Sequence, residues 1–361
     1  MEQKIVHGIE NIIADLKDKK FLLVRDSAYD FLAIKSQFDK IPHIEFGDFT
    51  PNPLYEQVCE GVKLFNQNEC EMIVAVGGGS AIDVAKCIKL YCKMDDSVNY
   101  LQQEKADTKI PLIAIPTTAG TGSESTRHAV IYFEGKKQSI SHPSIVPNIA
   151  VLEPSSLKTL PLYQKKCTLM DALCQACESW WSVNRTDESI SYSKKAITLI
   201  SLNMQKYIEE NDQKAAENIM LAANFAGKAI NITATTAAHA MSYKITSLYG
   251  FPHGHAVAVC FAELWKEMQE ELTSGKVENA ELENIFKEIS AQMGYKTVDE
   301  GIRGFSEMLK KLELSNPVSH DFENEIDVLT ESVNPDRLKN NPIQFPNEII
   351  KKMYKNIIKY N

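Results

Sequence analysis

Several features are missing from this 361-residue chain, and each absence excludes a class of function. There is no dense block of lysine and arginine and the net charge is −9, so nucleic acid is not expected as a partner. No apolar run comes near the roughly 20 residues that a membrane-spanning helix needs, so no membrane is expected either. The first residues, Met1 to His7, carry no apolar core of the kind a secretory leader has. Internal repeats and low-complexity tails are absent too. Eight cysteines, at 59, 70, 87, 92, 167, 174, 177 and 260, sit mostly in apolar, helix-like settings. They read as reduced thiols, which points to a cytoplasmic protein. Cys174 and Cys177 form a Cys-x-x-Cys, but inside Leu173-Cys-Gln-Ala-Cys-Glu-Ser-Trp180, with no second pair nearby. A redox or zinc site needs a loop, an electropositive setting or further ligands, so the pair reads as helix packing.

What is present is ordinary soluble-protein composition, 44% hydrophobic and 24% charged, with room for two domains. Up to about residue 160, short β-rich runs alternate with helical segments. Strands are expected at 21–24, 43–46, 72–76, 112–115 and 149–152, with helices at 29–38, 54–66 and 81–91. A hairpin is expected from 129–133 and 138–141 around Glu134-Gly135. That alternation is the pattern of a parallel sheet covered by helices on both faces. From Leu160 onward there is almost no β pattern. Helical periodicity runs through 165–181, 186–208, 212–244, 255–270, 278–293, 297–312, 323–332 and 346–358. The expected fold is an α/β nucleotide-binding domain over 1–160 and an all-α metal- and substrate-binding domain over 161–361.

Two loops suit a nucleotide. Val74-Ala-Val-Gly77-Gly78-Gly79-Ser80 is an apolar run that breaks into glycines, where backbone can approach a pyrophosphate without Cβ interference. Ser80 reads as the N-cap of the following helix, whose N–H groups would face the anion, and Asp83 is placed to close a capping box. Pro116-Thr117-Thr118-Ala-Gly120-Thr121-Gly122-Ser123-Glu124 also follows a strand and offers hydroxyls to phosphate and ribose. Farther on, Asp171 and Gln175 lie one helical turn apart, His239 sits in a small-residue helical run, and His253 sits between Pro252 and Gly254. A carboxylate with imidazoles suits a borderline divalent ion. A phosphate cradle followed by such a site suggests metal-assisted hydride transfer.

Gly77-Gly-Gly-Ser-Ala-Ile-Asp-Val-Ala-Lys86, Pro116-Thr-Thr-Ala-Gly-Thr-Gly-Ser-Glu124, Asp171-Ala-Leu and Pro252-His-Gly254 stand in the order and spacing of the iron-containing alcohol dehydrogenases, which the chain resembles from Phe21 to its last helix. The resemblance implies a Rossmann-like N-terminal domain, a helical C-terminal domain, NAD(P)-dependent oxidation or reduction in the cleft between them, and a homodimer or higher homo-oligomer. It implies that Asp171, His239 and His253 are three of four metal ligands. The fourth, normally an imidazole, is Gln175 here, a weaker neutral donor. The resemblance implies Fe²⁺, and the weaker donor lowers affinity and moves the preference toward Mn²⁺ or Zn²⁺ as alternatives. A further family histidine is replaced by Tyr243, whose phenol would donate a proton to the alkoxide or shape the pocket. For the cofactor, the resemblance implies that Asn52, Gly78, Gly79, Ser80, Asp83, Thr117, Thr118, Thr121 and Lys137 hold the dinucleotide. Asp26 would accept from the adenine ribose and repel a 2′-phosphate, which favours NAD(H).

Asp171 to Asn184, with Ser242-Tyr243, is similar to the branch that contains phosphonoacetaldehyde and sulfoacetaldehyde reductases. That branch implies a short aldehyde carrying an anion, with Arg127 and His128 as candidate cationic groups and Ser182 and Asn184 as neutral donors. The alternatives are a generic short-chain alcohol, diol or glycerol-type dehydrogenase, or a non-catalytic nucleotide-binding protein with a degraded metal site.

Overall fold

The computed structural model describes residues 3–360. Within it the chain divides into two compact units. One is Met1–Leu160 with Asn211–Met220, and the other is Pro161–Glu210 with Leu221–Asn361.

The first unit is built on strands β1 (Lys4–His7), β2 (Phe21–Arg25), β3 (Ile44–Phe46), β4 (Met72–Gly77), β5 (Leu112–Pro116) and β8 (Ile149–Leu152), with a hairpin of β6 (His128–Phe133) and β7 (Lys136–Ser141). The six-stranded sheet is parallel throughout, in the order β1-β8-β5-β4-β2-β3. Its central strands are apolar along their whole length because both faces are covered, which is why they show no polar alternation. Side chains still alternate between faces. Leu22, Val24, Ile73 and Ala75 pack with Val58, Val62 and Phe65 of α3 (Tyr55–Gln67) and Ile82, Ala85 and Ile88 of α4 (Gly79–Tyr91). Phe21, Leu23, Val74 and Val76 pack on the opposite face with Leu16 of α1 (Ile13–Leu16) and Phe38 of α2 (Lys35–Phe38). Two details depart from the sequence pattern. The helix expected over 29–38 is a 3-10 turn, Ser27–Phe31, followed by the one-turn α2. Asp26 caps that 3-10 turn through Ala28 N, and Leu32 returns to an extended conformation. The edge strand β1 was not expected, since four residues are too few to show a period.

The second unit is helical. Its helices are α5 (Leu162–Trp181), α6 (Asp187–Gln205, continued by a π turn over Lys206–Glu210), α7 (Gln213–Thr233, whose first residues group with the first unit), α8 (Ala237–Tyr249), α9 (His253–Thr273), α10 (Ala280–Gln292), α11 (Val298–Lys311), α12 (Phe322–Glu331), α13 (Pro335–Leu338) and α14 (Asn347–Ile357). One two-residue parallel ladder, β9 (Val318–Ser319) with β10 (Lys359–Tyr360), interrupts the helical pattern. α5 is buried on every side from Leu169 to Trp181, including Cys174 and Cys177, so it is the core of this unit. The single helix expected over 212–244 is two, broken at residues 234–236 where Ala234 is left-handed (φ 58°). No glycine or proline marks the break.

The start of α9 is pressed against α5 at Gly254. A Cβ there would stand 2.0 Å from the Cys167 carbonyl oxygen and 2.9 Å from Asp171 Cβ, so only glycine admits this approach. Gly254→Ala should therefore cost about 1–3 kcal/mol of stability through overpacking, read as a lower midpoint in urea unfolding. An unchanged midpoint would show that the two helices separate freely at this point.

Candidate functional site

In the first unit the two expected loops meet. Thr117 N donates to the Gly77 carbonyl at 3.0 Å. A Cβ on Gly78 would lie 3.5 Å from the Thr118 methyl, and one on Gly79 would lie 3.1 Å from Thr121. Ser80 is not the N-cap. The helix begins at Gly79, Gly78 occupies the cap position, and no side chain caps it. An uncapped N-terminus behind two glycines is a ready anion cradle. Asp26 comes to this loop as well: its Oδ2 accepts from Gly78 N at 2.9 Å, while Oδ1 caps Ala28.

Asp83 closes no capping box. It is half-buried, accepting from Ser123 Oγ at 2.7 Å and Val130 N at 2.9 Å, and thereby ties α4 to the second loop and to β6. Lys86, buried one turn on, donates to Ser123 Oγ, Thr126 Oγ1 and the His128 carbonyl. Burial lowers Lys86 to about 8, against the opposing pull of Asp83 and Glu124. Burial also raises the Asp83 carboxyl, with Lys86 and its hydrogen bonds opposing. This network sets the shape of the loop from beneath. Lys137 lies on β7 near enough to Asp83 to favour its charge. Asn52 is exposed, with φ 58°. Arg127 is exposed before β6, and His128 lends its carbonyl to Lys86.

In the second unit Asp171, His239 and His253 converge, with ligating atoms all within 4.8 Å of one another. Asp171 comes from the buried face of α5, His239 from the first turn of α8, and His253 from the first position of α9. Asp171 Oδ1 and His239 Nε2 face each other at 3.3 Å, and His253 Nε2 is 3.9 Å from the same oxygen. Gln175, buried one turn after Asp171, hydrogen-bonds that carboxylate. Burial pushes the Asp171 carboxyl up, but His239, His253 and Gln175 together hold it below the usual carboxylate range.

The residue that organises the cluster was not singled out in the sequence. Glu178, fully buried two turns after Asp171 on α5, accepts from Thr236 N (3.1 Å), Thr236 Oγ1 (2.7 Å), Ala238 N (3.1 Å) and His239 N (3.4 Å). Its second oxygen accepts the Nδ1 proton of His239. One carboxylate thus caps α8 and fixes the imidazole so that Nε2 faces Asp171. Burial disfavours the charged ring, yet Glu178 and Asp171 outweigh it and raise His239 to about 9. The only sequence signal was the spacing Asp171, Gln175, Glu178, which lies on one helical stripe.

Other neighbours have plainer roles. His255 accepts from the Tyr163 hydroxyl and donates to the Ser315 carbonyl, so it is a satisfied structural histidine. Tyr243 stacks on His253, rings 5.9 Å apart and 3° from parallel, and its hydroxyl accepts from Arg337 Nη1 at 3.0 Å. Ser182 is buried and accepts from Asn184 N, while Asn184 donates to Asn340. The two expected neutral donors therefore brace a turn.

The donor chemistry fits one divalent ion. Buried Asp171 Oδ1 and His239 Nε2 face each other at 3.3 Å with no other partner, and a divalent ion bound there would satisfy both atoms in place of the proton that otherwise lies between them. Carboxylate and imidazole are ligands for iron, zinc or manganese. Residues 1–154 match the profile of the iron-containing alcohol dehydrogenases, and residues 166–358 match the C-terminal domain of the same family. The probable alcohol dehydrogenase EutG of Escherichia coli is 31% identical over 258 residues, 67% of this chain and 65% of that protein, so the match spans just under two thirds of its length. Alcohol dehydrogenase 4 of Schizosaccharomyces pombe is 30% identical over 84% of this chain and 73% of its own. A sulfoacetaldehyde reductase from Bifidobacterium kashiwanohense, solved with NAD+, superposes with a TM-score of 0.88 at 26% identity, over 98% of this chain and 96% of that one. With both family domains matched in order over nearly all of its length, the chain belongs to the iron-containing alcohol dehydrogenase family.

Proposed function

We propose that the protein is an NAD(H)-linked, metal-dependent alcohol dehydrogenase that acts as a reductase of a short-chain aldehyde carrying an anion. The observation that carries this reading is the buried pair Asp171 Oδ1 and His239 Nε2, 3.3 Å apart with His253 beside them and Glu178 behind. Asp171, His239 and His253 would hold Fe²⁺, or Mn²⁺ or Zn²⁺, with the Gln175 amide as a fourth, neutral donor. Gly78, Gly79 and the Thr117–Thr121 loop would hold the pyrophosphate of NAD(H). When bound, the ion polarises a carbonyl and the reduced nicotinamide supplies a hydride.

The chain's own residues prepare that chemistry. Glu178 prevents the His239 ring from turning, so its basic nitrogen stays on the site. Tyr243 accepts from Arg337, and its phenol would donate to the oxygen that gains charge as the aldehyde is reduced. Asp26 keeps a carboxylate at the glycine loop, where it disfavours a 2′-phosphate. The anionic substrate class rests on the likeness to a sulfoacetaldehyde reductase.

The direct test is NADH oxidation with acetaldehyde, sulfoacetaldehyde and phosphonoacetaldehyde before and after chelation. Turnover should vanish on chelation and return with Fe²⁺, Mn²⁺ or Zn²⁺. No turnover with any of these ions would contradict the proposal.

Three substitutions extend it. Glu178→Gln should weaken metal binding by about 10–100-fold in chelator competition, and wild-type affinity would show that Glu178 only caps α8. Gln175→His should tighten metal retention and Gln175→Ala loosen it; if neither moves, Gln175 is a packing residue. Asp26→Gly should shift the NADPH/NADH ratio of kcat/KM toward NADPH on the order of tenfold. It should also raise KM for both cofactors, because the Gly78 N–H loses its acceptor. An unchanged ratio would show that Asp26 serves only the loop.

A further inference from the structure

Arg337 stands out among the cations of the helical unit. It lies on the one-turn helix α13, half-buried, with its guanidinium 5.2 Å from the Tyr243 ring and Nη1 on the Tyr243 hydroxyl. Tyr243 in turn stacks on His253, so Arg337 stands one aromatic ring away from the metal cluster. Among the described residues no carboxylate pairs with it, and its neighbour Asp336 is taken by Lys339. A guanidinium has five N–H donors, and one neutral phenol uses one of them. A half-buried positive charge held without a counter-ion is costly, and a bidentate oxyanion is the partner its fork matches best.

The position is built rather than incidental. Pro335 starts α13, and Asn334 caps it through Asp336 N at 2.9 Å. Asn340 then ties the following turn to the site, donating to the Thr235 carbonyl, accepting from Asn184 Nδ2, and offering its carbonyl to Val183 N. Those contacts fix α13 against the 234–236 break that also sets His239.

We propose that Arg337 is the specificity-determining residue for the anion of the substrate: an aldehyde whose carbonyl is bound at the Asp171–His239–His253 cluster and whose sulfonate, phosphonate or carboxylate tail is bound by this guanidinium. The proposal rests on the aldehyde-reductase reading and moves the anion-binding role from Arg127 and His128 to a residue beside the cluster.

The test compares the metal-loaded wild type with Arg337→Gln and Arg337→Lys, using sulfoacetaldehyde, phosphonoacetaldehyde, succinic semialdehyde and neutral propanal. The ratio of kcat/KM for anionic over neutral aldehyde should fall about 10- to 100-fold in Arg337→Gln. Arg337→Lys should recover part of it, since charge returns without the fork. In parallel, the Tm rise caused by isethionate, the alcohol of sulfoacetaldehyde, should be lost in Arg337→Gln. Equal losses on anionic and neutral aldehydes would overturn the role. Wild type reducing propanal with no anionic preference would overturn it while leaving the dehydrogenase reading standing. Wild type reducing no aldehyde would sink that reading, and the isethionate shift would still decide for or against the anion site.

Discussion

The candidate metal site depends on one buried carboxylate. Glu178 places a full negative charge where water is excluded, a cost of several kcal/mol if uncompensated. It is compensated by backbone N–H groups at the start of α8, the Thr236 hydroxyl and the His239 ring. A helix N-terminus and an imidazole both repay a buried anion with charge-assisted hydrogen bonds. The consequence is geometric: α8 starts where Glu178 sits, and His239 points where Glu178 leaves it free to point. Asp171, two turns earlier on the same helix, receives that ring, and Gly254 lets α9 approach closely enough for His253 to join them. The ligands therefore come from three helices, but their arrangement is set by α5.

The nucleotide unit uses inward-facing polar groups in a related way. Asp83 and Lys86, one turn apart on α4, hold the second loop through Ser123, Thr126 and Val130 N. Asp26 holds the first loop through Gly78 N. A glycine-rich backbone is floppy by nature, and these contacts restrict it before any ligand arrives. Fully satisfied networks of this kind specify one loop shape, at the cost of burying charge.

Much of this was legible in the sequence, for identifiable reasons. The parallel sheet was visible because β4 and β5 are apolar end to end and each breaks into glycine or threonine. Asp171, His239 and His253 were visible because each stands in a distinctive local run. Glu178 was not, since one acidic residue inside Cys-Glu-Ser-Trp looks like a helix surface position until α8 is seen to dock on it. The break at 234–236 was hidden for the same reason, because its cap comes from another helix instead of a neighbouring serine or glycine. Ser80 looked like a cap and is not one, because the helix starts a residue earlier at Gly79. Arg337 lay outside every motif, and only tertiary packing puts it beside Tyr243.

The most direct measurement of the central claim is anomalous diffraction from crystals grown with Mn²⁺ or Zn²⁺. The account predicts one strong peak within bonding distance of Asp171, His239 Nε2 and His253, with His239 Nδ1 still on Glu178. A peak at Nδ1, or none at this cluster with the metal present elsewhere, would contradict it.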